Sequence, residues 1–439
     1  MQKINEILPI VIKLNKKIIS RIYYILVAIL LSYTTIFAQS KNTSFKIISN
    51  PSGHEYWFLK NNNFGIMPSS LYLESSWNLV KDNITYSLNI IGPSKEEQLT
   101  NIYFKESFIK YNLSEKTFFR AGKYYRDFSN YLNDGLSSGS MLISNNAEPM
   151  PKIGLVSSKN TFNKNISFNF GIAHSVFDNS IHYIKPPYLH EKFIYINIKR
   201  DDAELGFGFV HEAMWGGHTM ELGKQPSKIK DFLKVFISAD GKKKSIDRHA
   251  NALGNHLGIW DFYYQKTIDD KILKLYYQHF FEDTSSLRFA NKWDGLWGIE
   301  ITNYIPNTTL LIEYIDTSNC CRSNESTYQY DFYYWNYEYT SGWKYKNYIL
   351  GNPFVNDTAV WNEETDDGME LDKILYLGLE RSMTKIYYKI ILAKELKREK
   401  NEYLKIELGR GINDRNNINI FLVNAGKNLG TGLNYTLSF

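Results

Sequence analysis

The sequence has 439 residues with 51 basic and 46 acidic side chains, and 15% of its residues are aromatic. Five of the basic residues but only one acidic residue lie in the first 38 positions, so the rest of the chain is nearly neutral. It lacks the basic charge that nucleic-acid binding requires, and its aromatic content suits a one-domain outer-membrane β-barrel or a tyrosine-rich soluble β-sandwich or lectin.

The first 38 residues predict a cleavable signal peptide. A basic region ends at Arg21, an apolar run covers 22–31, and Ala38 is a suitable residue before the cleavage point. The apolar run is short for a membrane-spanning helix, which needs ~20 residues. Gln39 follows the predicted cut and no Cys is nearby, which disfavours a lipoprotein anchor. We therefore expect residues 1–38 to be removed and residues 39–439 to form one domain.

Apolar residues then recur at every second position in many segments. The segments are 71–79, 84–90, 166–172, 194–198, 205–209, 273–277, 297–301, 375–379, 404–408 and 418–422. Alternate residues of a strand point to opposite faces, so each segment predicts a strand with one apolar and one mixed face. In a barrel the apolar face contacts lipid, whereas in a sandwich it contacts a core, and the pattern fits both.

Residues 226–238 form an exception to this two-residue pattern. Ile229, Phe232, Leu233 and Phe236 have helical spacing, and Ser227 is a suitable N-cap. The spacing predicts a short amphipathic helix in a connection, where it would cap the barrel wall.

The possible metal ligands of the chain do not form a convincing site. They are His211, His218, His249 and His256. Their spacing is not that of helical ligands and no Cys supports them, so we expect no metal and no cofactor. Cys320 and Cys321 are adjacent in a polar stretch, where a passive loop pair is favoured over a vicinal disulfide.

Three acidic residues raise the possibility of glycoside hydrolysis. Glu282, Asp283 and Asp294 could supply paired carboxylates, but charged residues lining a polar lumen are the interpretation we favour. The common nucleophile, zinc-protease and phosphate-loop motifs do not occur in the sequence. The sequence therefore predicts no catalytic residues and no enzymatic activity.

Residues 328–339 are dense in aromatic rings among amides and carboxylates. Tyrosine and tryptophan combine apolar faces with hydrogen-bonding edges, which suits the faces and hydroxyls of sugars. The candidate glycan-binding residues are Tyr330, Tyr334, Trp335 and Tyr337. An aromatic girdle at a membrane interface is the alternative for this stretch.

The last residues of the chain favour a membrane barrel. Leu433, Tyr435, Leu437 and Phe439 alternate with polar residues, and a terminal strand ending in an aromatic residue resembles the sorting signal of outer-membrane barrels. Unpaired backbone groups are costly in lipid, so a membrane sheet must close, and this strand can pair with the first one. Together with the leader, it predicts location in the outer membrane.

Several separated segments resemble the capsule assembly protein Wzi family. In chain order, the first block has Trp57 before 62–65, and the second has Arg120 and Gly122 followed by Asn145, Pro149 and Pro151 within 138–151. The third block has His211 and Trp215 within 211–217. The fourth has Asn251, Gly254, Asn255 and Gly258 within 251–258, then Asp261, Glu282, Asp283 and Asp294, and the fifth has Gly351, Asn352 and Pro353. Each segment is weak by itself, but the five blocks occur in order between about residues 55 and 355.

The resemblance implies a large closed antiparallel barrel of about eighteen strands, with short periplasmic helices and loops that plug the lumen. It also implies a non-enzymatic outer-membrane lectin that assembles or retains capsular polysaccharide, and we expect a monomer whose other partner is membrane lipid. Most matched residues should be structural, because Asn, Asp, Glu and Arg without a catalytic grouping suit polar networks that hold loops inside a lumen. An outer-membrane channel, or a barrel enzyme acting on lipid or glycan, remains open as an alternative.

Overall fold

The computed structural model describes residues 40–49, 71–93, 103–242, 252–282, 284–319, 333–355, 373–396, 402–413, 416–425 and 428–438. Several predictions fall outside these ranges and stay predictions. They concern the signal peptide and the residues Trp57, Asn251, Asp283, Cys320, Cys321, Tyr330 and Phe439.

The described chain is almost entirely β-structure. The strands are β1 (Ser40–Ser49), β2 (Leu71–Lys81), β3 (Ile84–Pro93), β4 (Tyr103–Phe104), β5 (Ser107–Asn112), β6 (Thr117–Lys123), β7 (Pro151–Thr161), β8 (Ile166–Val176), β9 (Tyr183–Lys185), β10 (Tyr188–Arg200), β11 (Ala203–Trp215), β12 (His218–Thr219), β13 (Gly223–Lys224), β14 (Asn255–Ile268), β15 (Lys271–Phe281), β16 (Gly295–Thr302), β17 (Thr308–Asp316), β18 (Lys344–Tyr345), β19 (Tyr348–Ile349), β20 (Lys373–Ser382), β21 (Ile386–Glu395), β22 (Glu402–Asn413), β23 (Asn416–Ala425) and β24 (Asn428–Ser438). Two helices interrupt them, α1 (Ile229–Phe236) and α2 (Thr284–Leu287).

One 19-stranded antiparallel sheet forms the wall of a barrel. The ring of pairings closes because β1 pairs with β2 on one side and with β24 on the other, where Asn42 lies opposite Ser438. Since β4 and β5 both pair with β3, the wall has one position fewer than the sheet has strands, which makes eighteen. Closure removes the open edge that lipid would penalise, and the predicted fold class is confirmed.

Residue alternation assigns the two faces of the wall. On β10, Ile194 and Ile196 are 48% and 47% exposed, whereas the intervening Tyr195 is 5% exposed. The exposed row points outward, where a membrane barrel meets lipid, and the buried row points into the lumen. The sequence pattern at 194–198 therefore predicted the orientation of this strand as well as its position.

The two ends of the barrel differ in their connections. Strands β2 and β3 are joined by the turn that begins at Asp82, β10 and β11 by the turn at Asp201, and β14 and β15 by the turn at Asp269. These aspartates have positive φ angles, which Asp tolerates in tight turns. The connections at the opposite end are long, as between β6 and β7 or β17 and β20. Short turns face the periplasm and longer loops face outward in outer-membrane barrels, which makes the long-loop end the outer end.

Helices α1 and α2 both lie in long connections, between β13 and β14 and between β15 and β16. Both helices therefore lie at the outer end, and neither is one of the periplasmic helices that the resemblance implies. The helix predicted within 226–238 is confirmed as α1, but its N-cap is Lys228 rather than Ser227. The Asp231 carboxylate accepts a hydrogen bond from the Lys228 backbone N–H (2.9 Å) and so holds the first turn. Neither helix is long and apolar enough to cross a membrane as a helix.

Candidate functional site

Two connections from the outer end fold into the lumen. We call residues 124–150, between β6 and β7, the first plug segment, and residues 333–355, between β17 and β20, the second plug segment. The first segment is irregular, yet Leu136, Met141 and Leu142 in it are almost completely buried. Irregular backbone at membrane depth is tolerated only where protein surrounds it, so its polar groups must find partners on the inner wall.

Asp261 on β14 is the first of these partners. Its carboxylate accepts a hydrogen bond from Ser129 Oγ (2.5 Å) and further hydrogen bonds from the hydroxyls of Tyr131 and Tyr195. Ser129 and Tyr131 belong to the first plug segment, and Tyr195 is on the wall strand β10. This matched family residue therefore joins two parts of the wall to the plug through one fully buried carboxylate.

Gln278 and Glu313 are two further partners, and the sequence analysis missed both. Gln278 Oε1 accepts a hydrogen bond from the backbone N–H of Met141 (2.9 Å). The Glu313 carboxylate accepts hydrogen bonds from Ser137 Oγ (2.6 Å) and the Ser138 N–H (2.7 Å). Both residues alternate with outward apolar positions of β15 and β17, so their inward direction was readable from the sequence. Their partners in the plug were not.

The second plug segment covers the first. Asn352 Nδ2 donates hydrogen bonds to Ser138 Oγ (3.0 Å) and to the Gly139 carbonyl (2.9 Å), and Ser144 Oγ donates to the Gly351 carbonyl (2.6 Å). Pro353 follows in a turn in which the Asn352 side-chain oxygen accepts a hydrogen bond from the Phe354 N–H (3.0 Å). The matched residues 351–353 thus fasten one plug segment to the other.

Tyr334 was a candidate glycan-binding residue, but the structure places it between the two plug segments. Its ring is fully buried, and its hydroxyl donates to the Met141 carbonyl (2.5 Å) and accepts from the Asn352 N–H (2.8 Å). A Cβ at Gly351 would lie 2.2 Å from that hydroxyl, so Gly is required beside it. Tyr334 therefore suits a role in holding the plug segments together, and it is not open to a glycan in this structure.

Its neighbours in the sequence have a different environment. Trp335 and Tyr337 are partly exposed, and Glu338 donates its backbone N–H to the side-chain oxygen of Asn336 (2.8 Å). Tyr339, the next ring, is buried again. We call residues 335–338 the rim patch. It is the part of the aromatic stretch within the described chain that leaves rings, an amide and a carboxylate partly open to solvent.

Arg120 and Gly122 occupy the end of β6, where the first plug segment begins. The Arg120 guanidinium forms an ion pair with Asp127 and lies 3.7 Å from the centroid of the Tyr124 ring. Gly122 has a φ angle of +136°, and a Cβ there would be 2.4 Å from the Ser107 carbonyl oxygen. Both residues therefore direct the chain from the wall into the lumen.

The matched residues near the end of the first plug segment are also structural. Asn145 Nδ2 donates to the Asp134 carbonyl (3.2 Å), which ties the segment to itself. Pro149 lines a small cavity with Glu148 and Lys152, and Pro151 is the first residue of β7. The chain then continues through Lys152, whose ammonium is 3.1 Å from the Glu191 carboxylate on β10 inside the barrel.

Matched residues of the middle blocks lie near the outer ends of β11 and β14. His211 and Trp215 are on the outward row of β11, whereas Asn255 is buried on the inward row of β14. Gly254 has a φ angle of +100°, and a Cβ there would be 2.7 Å from the Met214 carbonyl oxygen. Gly258 leaves room for the Phe281 ring. Among the described residues, no group of three or more His, Cys, Asp or Glu could hold a metal ion.

Asp294 is engaged with the loops rather than with a second acid. Its carboxylate accepts hydrogen bonds from the Tyr333 hydroxyl (2.7 Å) and the Asn319 N–H (2.8 Å). Burial raises its pKa to about 6, although both hydrogen bonds act in the opposite direction. Glu282, at the start of the same connection, donates its backbone N–H to Ser286 Oγ (3.0 Å). Asp294 thus ties the connection from β15 to β16 to the second plug segment.

Comparison with known proteins gives a family and a fold. A family model described as capsule assembly protein Wzi matches residues 39–385. The solved structure of Wzi from Escherichia coli, described as a carbohydrate-binding β-barrel of the outer membrane involved in group 1 capsule assembly, is similar over 96% of this chain and 89% of its own, with 14% identity and a TM-score of 0.59. Acinetobacter baumannii OccAB3 is similar over 91% of this chain and 98% of its own, with 11% identity and a TM-score of 0.43. No curated protein matches the sequence.

Proposed function

The chain belongs to the capsule assembly protein Wzi family, and from that premise we propose that it holds or assembles capsular polysaccharide at the cell surface without catalysing a reaction. The observation that carries this proposal is the combination of a lumen filled by two plug segments with a partly exposed aromatic and polar patch in a loop of the outer end. The plug disfavours transport, and the patch offers a surface for a sugar.

The plug disfavours a channel because it is bound to the wall from several sides. Its first segment reaches β10 through Tyr195, β17 through Glu313 and β20 through Tyr376, whose hydroxyl donates to the Leu136 carbonyl (3.0 Å). Buried hydrogen bonds of this kind are costly to break, so a plug held by them does not leave to admit a solute. Several inward polar residues that could have lined a conducting pore, among them Glu313 and Tyr376, hold the plug instead.

The same observation supports a non-enzymatic role. Asp294 was one of the acidic residues that a glycan-cleaving enzyme could have used, and its carboxylate, like that of Asp261, is occupied by hydroxyl or amide donors of the loops. Burial of this kind suits structural acceptors rather than a general acid and a nucleophile facing one substrate. Binding is then the chemistry left to the outer end.

The rim patch has the composition of a sugar-binding surface. Trp335 and Tyr337 supply flat rings for the apolar faces of sugars, and Asn336 and Glu338 supply hydrogen-bonding groups beside them. The related Escherichia coli protein is described as carbohydrate-binding. We assign the capsular polysaccharide contact of this chain to the rim patch on these grounds, and Tyr330 stays a prediction.

The test compares a deletion strain with the double variant Trp335→Ala/Tyr337→Ala. The deletion should shift polysaccharide from the cell-bound to the shed fraction without stopping its synthesis. The double variant should bind the purified capsular polysaccharide at least tenfold more weakly, since a central aromatic contact contributes about 1–3 kcal/mol. Phe162→Ala/Tyr304→Ala is the matched control, because these rings are 78% and 76% exposed in the short turns of the opposite end.

Unchanged cell-bound capsule in the deletion strain would refute the proposed function. A capsule defect in the deletion strain with normal binding by Trp335→Ala/Tyr337→Ala would refute only the assignment to the rim patch. Folding of each variant is checked by the heat-dependent shift in electrophoretic mobility that folded outer-membrane barrels show.

A further inference from the structure

Helix α1 lies on the outside of the barrel wall. The Phe232 ring is 5.3 Å from the ring of His190 and 5.3 Å from that of His174. His190 belongs to the same row of β10 as the exposed Ile194 and Ile196, and this row points outward. The helix therefore covers an outward-facing patch near the outer end of the wall instead of entering the lumen.

Polar contacts hold α1 in this place. Ser238, just after the helix, has its Oγ 3.2 Å from His211 Nε2, and His211 Nε2 is 2.9 Å from His256 Nδ1. The Lys192 ammonium donates a hydrogen bond to the Phe236 carbonyl at the end of the helix. His211, His256 and Lys192 all belong to the outward rows of their strands. The wall thus carries polar groups where lipid would otherwise lie, and the end of the helix and Ser238 contact Lys192, His211 and His256 there.

The side of α1 that faces away from the wall is apolar. Ile229, Leu233 and Ile237 are 82%, 60% and 71% exposed, and their spacing of four residues puts them in one stripe along the helix. The residue that α1 buries completely against the protein is Val235. An exposed stripe of three large aliphatic side chains on a short helix indicates contact with another apolar phase.

The flank of this stripe is basic. Residues 224–242 contain five lysines and two aspartates. The lysines Lys228, Lys230 and Lys234 are exposed, and the Asp231 carboxylate is used by the helix N-cap. An apolar stripe next to a row of lysines is the arrangement of helices that lie in a membrane interface.

The position of α1 decides which interface this is. The helix packs on the lipid-facing rows of β8 and β10, in which Val176 and Ile194 are exposed. The helix belongs to the long-loop end, which faces outward. We propose that α1 binds phosphorylated lipid headgroups of the outer leaflet, with Ile229, Leu233 and Ile237 among the acyl chains and Lys230 and Lys234 at the phosphates. This inference does not depend on glycan binding.

The test uses the full chain in neutral-detergent micelles mixed with bisphosphorylated lipid A or with the same lipid after removal of its phosphates. Bound lipid per protein is measured after size-exclusion chromatography. The wild type should retain the phosphorylated lipid more strongly than the dephosphorylated one. Lys230→Glu/Lys234→Glu should weaken binding of the phosphorylated lipid at least about tenfold, since each lysine near an anionic lipid surface contributes measurably. Ile229→Ser/Leu233→Ser should weaken binding of both lipids.

Lys164→Glu/Lys199→Glu is the matched control, because both lysines are exposed at the opposite end of the barrel. It should retain lipid like the wild type. Equal retention of the two lipids by the wild type would overturn the proposal, as would a helix variant that binds like the control. If Ile229→Ser/Leu233→Ser loses bound lipid and Lys230→Glu/Lys234→Glu does not, the stripe contacts acyl chains or a protein partner. The proposed phosphate contact would then be wrong.

Discussion

The inner faces of β14–β17 and of β21–β23 follow the same residue alternation, but their acidic and amide side chains have different partners. In the first region Asp261, Gln278 and Glu313 are completely buried and bind the first plug segment. In the second region Glu407 accepts a hydrogen bond from Asn419 Nδ2 (3.2 Å) on the neighbouring strand, so both partners belong to the wall. The two regions are alike in pattern and differ in which inward residues bind the plug, since in the second region Lys389 donates to the Gly135 carbonyl (2.8 Å).

The comparison shows that the direction in which a polar side chain points and its contribution to stability are separate properties. Direction follows from the two-residue period of the strand. The contribution to stability follows from burial, since a polar contact is stronger where water is excluded and contributes little where both partners stay hydrated. The plugged region should therefore be sensitive to substitutions that the region of β21–β23 tolerates.

The largest effect is expected for Asp261→Ala/Glu313→Ala. The double variant leaves the donors of Ser129, Tyr131 and Ser137 without acceptors, which costs about 3–5 kcal/mol of plug anchoring. The plug should loosen, so that amides of residues 126–141 exchange faster with solvent and single-channel conductance rises in planar bilayers. Glu407→Ala/Asn419→Ala is the matched control in the other region. If Asp261→Ala/Glu313→Ala has the conductance and the amide protection of the wild type, the proposed distinction between the two regions is wrong.

A smaller effect is expected from pH at Asp294, which joins the connection between β15 and β16 to the second plug segment. Its pKa is raised by burial from 3.8 to about 6, so the protonated carboxyl fits the folded protein better than the carboxylate does. The contribution of protonation to stability is therefore complete below about pH 4 and is lost as the pH rises through about 6.

Hydrogen exchange of residues 284–294 should accordingly speed up between about pH 4 and 6 beyond the intrinsic chemical rate, by roughly tenfold per pH unit at most. Asp294→Asn keeps the shape but cannot titrate, so its exchange should show no such extra dependence. The same extra dependence in Asp294→Asn would assign the effect to another group.

The smallest effect is expected for Glu407→Gln on β22, whose hydrogen-bond partner Asn419 belongs to the wall. The Lys405 ammonium is 3.8 Å from the Glu407 carboxylate, which is 18% exposed, and the amide of Gln can still accept from Asn419. The free energy of unfolding, measured in urea, should fall by less than about 0.5–1 kcal/mol. A loss of about 3–5 kcal/mol, as expected for Asp261→Ala/Glu313→Ala, would mean that contacts within the wall are enough to make an inward polar residue essential.

The sequence indicated the strands because lipid imposes a strict two-residue period on a barrel wall. The segments at 84–90, 194–198 and 273–277 lie within β3, β10 and β15, and residues 433–438 of the last predicted strand lie within β24. Short strands such as β12 and β18 were not predicted, since pairs of residues carry no period. The helix was predicted from its spacing, but its attachment to the outside of the wall depends on His190 and His211, far away in the chain.

By itself, then, the sequence determined the alternating rows of the strands, since those depend on local periodicity, while its last residues and family motifs predicted that the sheet closes into a barrel. The tertiary structure decided which inward residues hold the plug, because Ser129 and Asp261 are separated by 132 positions and no local pattern joins them. It also separated neighbours in the aromatic stretch. Tyr334 is buried against Met141 and Trp335 keeps part of its surface, because a segment without regular secondary structure has no period to assign its side chains.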